Sequence, residues 1–189
     1  MSLLYVDACI RKDSRTRKLA EYLLSKIGKD YKKIGLANSK ISYIDEEYLQ
    51  KRDAYIRQGN FDDPMFGYAK EFAKADEIVI AAPYWDLSFC SLLKIFVEHV
   101  NVLRLVFDYS ANGEIVSLCK AKKLYYVTTK GGFGGDDFGY EYIKMLCKTF
   151  YGIKDVVLIK AEGLDSGLEP EKVLNQAKVE MERVLESGC

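Results

Sequence analysis

An open α/β fold, a five-stranded parallel sheet with helices on both faces, is what the sequence predicts, and three observations carry that prediction. Short apolar runs recur at residues 2–8, 77–82, 122–129 and 155–161, each suited to a strand buried on both faces. Between them lie stretches with apolar residues at helical spacing, so strands alternate with helices and the crossovers are right-handed. At 189 residues, with 49% apolar and 30% charged, the chain has the size and composition of one globular domain, residues 1–189, with a substantial core.

Residues 2–8 make the first strand, and Cys9 to Asp13 follow as a polar loop. From Ser14 the apolar positions Leu19, Leu23, Leu24 and Ile27 mark a helix that stops at Gly28. Tyr31 to Ala37 is a weaker second strand. The long connection from Asn38 to Lys74 holds two more helices, one capped by Asp45 and running to about Arg57, the other starting at Asp62-Asp63-Pro64 and running to Ala75. The third strand ends at Pro83, and an apolar-rich helix runs from about Phe89 toward Val106. Leu92, Phe96, Val100 and Leu103 form one stripe on it, and Leu93, Val97, Leu105 and Val106 extend a second side. Such a helix must pack on the sheet and on something else, for which a second copy of the chain is the cheapest candidate. Ala111-Asn112-Gly113 signals a small hairpin excursion after this third α/β unit. The fourth strand, a helix over 138–151, the fifth strand and a closing helix over 170–185 complete the order.

The charges exclude some functions. With 28 basic and 28 acidic residues there is no net charge to steer a polyanion, so neither nucleic acid nor an anionic membrane is an expected partner. The N-terminus enters a strand pattern without a basic n-region or a long apolar segment, which predicts a cytoplasmic protein. Cysteines at 9, 90, 119, 147 and 189 lack the spacing of a disulfide framework or a zinc site; reduced, mostly buried thiols are expected, with Cys189 exposed at the terminus. No metal is expected.

In a sheet ordered 2-1-3-4-5, strands one and three flank the switch point, so the loops after them meet in one crevice. The first loop supplies Arg11, Ser14, Arg15, Thr16 and Arg17 around a helix start, where hydroxyls, free N–H groups and guanidinium groups bind phosphate. Simple capping by Asp13 or Ser14 explains the same residues equally well. There is no G-x-G-x-x-G and no G-x-x-x-x-G-K-[ST], and Asp7 is the only acid at the first strand's edge. A Rossmann clamp, a P-loop and a phosphoacceptor receiver are therefore disfavoured. The second loop, Pro83-Tyr84-Trp85-Asp86-Leu87, offers an aromatic wall and a carboxylate; the third, Thr129-Lys130-Gly131-Gly132-Phe133, allows close backbone approach. One elongated ligand fits all three, with phosphate at the first loop and a planar ring between the other two. FMN has that shape.

The Ser14-Arg15-Thr16 helix start, Pro83 to Leu87 leading into Leu93-Lys94, Thr129-Lys130-Gly131-Gly132 and Ala161-Glu162-Gly163-Leu164 occur in this order over nearly the whole chain. Together they resemble the FMN-dependent NADH azoreductase and NAD(P)H quinone reductase family. The resemblance implies a flavodoxin-like homodimer with FMN near the dimer interface. It also implies ping-pong transfer of two electrons from NADH or NADPH, by hydride through flavin N5, to quinones or azo compounds. By position, Ser14, Arg15 and Thr16, with Arg11 beside them, would hold the phosphate, Pro83 to Leu87 would line the isoalloxazine, and Thr129 to Gly132 would complete its edge. Trp85, Phe133 and the 45–70 excursion of a partner chain would shape the acceptor slot. No catalytic acid or base is required of a side chain; Lys130 would act electrostatically, and His99, the only histidine, is expected to be packed. Asp86 departs from a common asparagine: a carboxylate accepts from flavin N3–H but cannot donate to O4. Lys130 stands where arginine is common, and Phe133-Gly134-Gly135 brings no histidine. A flavodoxin-type electron carrier and a non-catalytic flavin-binding protein are the alternatives, although a carrier usually presents an acidic docking face.

Overall fold

A computed structural model describes residues 2–187 of the chain. Cys189 lies outside the described residues. The strand and helix order begins β1 (Leu3–Asp7), α1 (Arg15–Ile27), β2 (Tyr31–Gly35), α2 (Glu46–Gln58), α3 (Gly67–Lys74) and β3 (Glu77–Ala81). It continues with a two-stranded hairpin, β4 (Tyr84–Trp85) and β5 (Ser88–Phe89), then α4 (Ser91–Val100) and a second hairpin, β6 (Phe107–Tyr109) and β7 (Ile115–Ser117). The closing elements are β8 (Lys123–Thr129), α5 (Phe138–Leu146), β9 (Asp155–Ala161) and α6 (Pro170–Ser187).

The main sheet has five strands in the order β2-β1-β3-β8-β9, all parallel, which is the expected 2-1-3-4-5 arrangement. Its central strands β1, β3 and β8 are buried on both faces because both faces are covered. Leu4, Val6, Ile78, Ile80 and Tyr126 point to one side, in a core shared with α3, α4 and α5 residues such as Phe72, Phe96 and Ile143. Leu3, Tyr5, Val79 and Val127 point to the other, with Leu19 and Leu23 of α1 and Leu174 and Met181 of α6. Each fully buried Phe or Leu in these layers contributes on the order of 2 kcal/mol.

Helix starts follow their caps. Ser14 accepts from the Arg17 N–H at the start of α1, and Asp45 accepts from the Tyr48 N–H at 2.8 Å at the start of α2. Asp63 caps a single 3-10 turn, Pro64–Phe66, that feeds α3. The predicted helix toward Val106 is corrected: α4 ends at Val100, and the chain reverses through Asn101–Val106 with Arg104 in a left-handed conformation, φ 67°. The helix expected over 138–151 is α5 followed by one π turn, Cys147–Tyr151.

Leu93, Phe96, Val97 and Val100 of α4 are all buried, and the chain itself supplies much of the cover. Tyr68 of α3 packs edge-on to Phe96, and Tyr48 of α2 packs edge-on to His99. His99 is buried, with Nδ1 2.9 Å from the Tyr48 hydroxyl and Nε2 2.8 Å from the Ser42 carbonyl. A carbonyl only accepts, so Nε2 carries a proton, and the ring is a packed, satisfied group as the sequence suggested. Among the described residues, no helix is long and apolar enough to cross a membrane and no cluster of His, Cys, Asp or Glu is arranged to hold a metal ion.

Candidate functional site at the switch point

The carboxyl ends of β1 and β3 finish level, Asp7 beside Ala81, whereas β8 runs on to Thr129, two residues past Val127, the partner of Ala81. The chain leaves β1 and β3 in opposite directions across the sheet, so a crevice opens between their loops. It forms a cleft of about 190 Å³. Ile10, Arg11, Ser14, Arg15 and Thr16 come from the first loop, Pro83, Tyr84 and Trp85 from the second, and Thr129 and Gly131 from the third. Asp13 and Asp165 also reach it.

The first wall is held by paired charge. Arg17, expected beside a ligand, turns away from the cleft: its Nε donates to Asp7 Oδ2 at 2.7 Å, and its Nη1 donates to the carbonyls of Arg11 and Lys12, each at 2.8 Å. Lys33 of β2 reaches the same Asp7 oxygen at 3.0 Å, and the Cys9 N–H donates to Asp7 Oδ1 at 3.0 Å. Burial works against the Asp7 anion, but Arg17 and Lys33 outweigh it and hold the carboxyl below the usual carboxylate range. Burial also pushes the Cys9 thiol up to about 12. The loop is thereby fixed so that α1 presents its first turn to the cleft. The N–H groups of Arg15 and Thr16 precede the first intrahelical bond, Lys18 N–H to the Ser14 carbonyl at 3.1 Å, and are free to face an anion. The buried hydroxyls of Thr16 and Thr129 lie 2.6 Å apart and tie the first wall to the third.

The second wall is the β4–β5 hairpin. Its two-residue turn needs positive φ at both central positions, and Asp86 (φ 48°) and Leu87 (φ 68°) supply it without a glycine. The turn carries Asp86 and Leu87 to an exposed tip outside the cleft lining, whereas Tyr84 and Trp85 at its base face the cleft.

The third wall is stapled to the loop after β9. Gly163, Leu164 and Asp165 donate backbone N–H groups to the carbonyls of Gly132, Lys130 and Gly131, at 2.9, 3.2 and 2.9 Å. This brings in Asp165, which sequence reasoning missed because its position depends on backbone pairing with Gly131, 34 residues earlier. Its carboxylate lies over Gly131, where an added Cβ would sit 2.5 Å from Oδ2. It takes two hydrogen bonds from Arg15, at 2.8 and 3.3 Å, and Arg15 holds it below the usual carboxylate range. Glycine at 131 therefore serves this packing.

Lys130, Gly132 and Phe133 do not line the cleft. Phe133 is exposed, packs over Gly163 and faces a separate hollow of about 550 Å³ between β9 and α6. Lys130 turns inward, with Nζ 3.6 Å from Asp137 Oδ2, 3.5 Å from Glu162 Oε1 and 4.3 Å from the centre of the Tyr84 ring. Burial opposes ionisation of Glu162, but Lys160 and Lys130 keep its carboxyl below the usual range.

Unpaired N–H groups at a helix start, three hydroxyl-bearing residues and an aromatic wall suit a phosphorylated planar heterocycle. The donor set fits FMN: anion donors gather at α1, and ring surface lies across the cleft at Tyr84 and Trp85.

A family model described as flavodoxin-like fold matches residues 1–185. The chain is 30% identical over 196 residues to the FMN-dependent NADH:quinone oxidoreductase of Coprothermobacter proteolyticus, covering 96% of each chain. It is 32% identical over 176 residues to FMN-dependent NADH:quinone oxidoreductase 2 of Clostridium acetobutylicum, covering 86% of each. The fold is shared with an FMN-dependent NADH-azoreductase of Bacillus anthracis solved in complex with FMN, at a TM-score of 0.81 and 20% identity over 98% of both chains. An azoreductase from the same organism gives a TM-score of 0.82 at 18% identity, covering 97% of this chain and 98% of that one. Likeness in sequence along almost the whole length makes this chain a member of the flavodoxin-like family of FMN-dependent NADH:quinone oxidoreductases.

Proposed function

We propose that the chain is an FMN-dependent NAD(P)H oxidoreductase of the cytoplasm that reduces quinones or azo compounds by two electrons, with donor and acceptor using the same slot in turn. The observation that carries this reading is the convergence of the loops after β1, β3 and β8 on one cleft with anion donors at one end and aromatic rings at the other. When bound, FMN supplies the redox chemistry, a hydride taken from reduced nicotinamide and later passed to the acceptor.

The chain's own residues bind and orient. The N–H groups of Arg15 and Thr16 and the hydroxyls of Ser14 and Thr16 would hold the phosphate, with Arg11 adding charge from the rim. Pro83, Tyr84 and Trp85 would flank the ring, Asp86 and Leu87 would border it from the hairpin tip, and the backbone of Thr129 to Gly132 would close its edge. Trp85 and Phe133 would shape the acceptor's approach. The reaction needs stacking and proximity, so a distant, packed His99 is no obstacle.

The cleft of about 190 Å³ is small for a whole flavin nucleotide, and the ring side is open, with Trp85 40% and Leu87 57% exposed. A second copy would cover that side, which supports a homodimer. The decisive experiment is the visible spectrum of the purified protein with FMN, before and after NADH without oxygen. A bound flavin band that NADH bleaches and a quinone restores, on a species sedimenting as a dimer, is expected. An apoprotein that takes up no FMN would remove the proposal, and flavin that NADH fails to bleach would leave a binding protein rather than an enzyme.

A further inference from the structure

Lys130 is 4% exposed and absent from the cleft wall, yet it lies between the parts that form the cleft. Its ammonium sits 4.3 Å from the Tyr84 ring centre, within cation–π range, and desolvation strengthens such a contact. Two carboxylates flank it, Asp137 at 3.6 Å and Glu162 at 3.5 Å, both too long for good hydrogen bonds. Asp137 Oδ1 caps α5 through the Tyr140 N–H at 3.0 Å, whereas its buried Oδ2 has no hydrogen-bond partner among the described residues. The Tyr84 hydroxyl donates to the Asp136 carbonyl at 3.0 Å, one residue from that cap. Tyr84 is thus held at its ring by Lys130 and at its hydroxyl by the backbone beside Asp137. The ammonium is the shared tie between the β4 strand, the start of α5 and the end of β9.

We propose that Lys130 is a positioning residue for the flavin site: it acts through Tyr84, fixing the base of the β4–β5 hairpin against α5, and does not act by touching the flavin. This rests on the functional reading above. The β4–β5 turn carries two non-glycine residues at positive φ, so the hairpin's own turn does not favour its position and a tether at its base has a defined task. Arginine keeps the charge and stacks on an aromatic face; methionine keeps the length and removes the charge.

Trp85 is the only tryptophan in the chain and adjoins Tyr84, so its fluorescence reports the hairpin with or without flavin. Five proteins are compared: wild type, Lys130→Met, Lys130→Arg, Tyr84→Leu and the Lys130→Met/Tyr84→Leu double variant, which closes a cycle. Acrylamide quenching of Trp85 in the apoprotein should rise about twofold and the FMN Kd about tenfold in Lys130→Met, the scale of a lost desolvated cation–π contact. Lys130→Arg should recover most of both changes, and the double variant should be no weaker than the worse single one. Unchanged quenching in Lys130→Met overturns the proposal, including where FMN binding alone weakens, because the ammonium would then act on the flavin directly. Additive effects in the double variant overturn it too. If Lys130→Met does not fold, Lys130→Gln takes its place, and unchanged quenching in that variant overturns the proposal. A wild type that binds no FMN removes the functional reading, while the apoprotein quenching series still tests the tether.

Discussion

The first and second walls of the cleft are built on opposite principles. The loop after β1 is fixed by a buried carboxylate, Asp7, that draws Arg17, Lys33 and the Cys9 N–H onto it. The β4–β5 hairpin ends in an exposed tip whose two turn residues sit in a conformation that side chains disfavour. On the proposed reading the first wall can be rigid because a phosphate would be the same in every turnover, whereas the second would face donor and acceptor in succession and can adjust to both. Rigidity would then sit where the ligand is constant, and compliance where it changes.

The sharpest way to break this comparison is Asp7→Ala. It leaves Arg17 and Lys33 facing a vacancy at the sheet edge and should cost about 3 kcal/mol, read from urea unfolding. A loss below about 1 kcal/mol would show that the first wall does not depend on this anion. Acid should expose the same dependence. The Asp7 carboxyl is depressed in the folded protein, so its contribution is complete above the unfolded value near about 4 and disappears as pH falls through the lower folded value. The stability gap between wild type and Asp7→Asn should therefore narrow as pH falls below about 4; a constant gap would mean that the ion pair is not its source. On the second wall the expected effect is smaller and of opposite sign. Leu87→Gly relieves a positive φ and gives up a half-exposed side chain, so it should stabilise the chain by about 1 kcal/mol. A loss of stability would assign the Leu87 side chain a packing role.

Legibility in the sequence follows the same division. The parallel sheet, its order and the caps Ser14, Asp45 and Asp63 were readable because local rules and burial agree there. The convergence of three loops also followed, since strand order dictates it. The Asp86-Leu87 turn was not readable, because hairpin turns of this kind announce themselves through Asn or Gly and this one has neither. Arg17 and Lys130 were misplaced because a basic residue near a loop looks the same in sequence whether it faces a ligand or a buried carboxylate. Asp165 enters only through backbone pairing between the loops after β8 and β9. The early end of α4 had no proline or glycine to mark it, and part of its cover beyond the sheet, for which a second copy is the cheapest candidate from sequence, comes from the chain's own α2 and α3.

The cysteines carry a consequence for the chemistry proposed. Quinones are electrophiles that add to thiolates, and the thiols of Cys9, Cys90 and Cys147 are all withdrawn from solvent. Burial pushes Cys9 and Cys147 up to about 12, so at neutral pH both stay in the unreactive thiol form. Beside the cleft proposed to take such acceptors, these three thiols offer them almost nothing to arylate, so the placement of these sulfur atoms would spare the protein covalent damage at them.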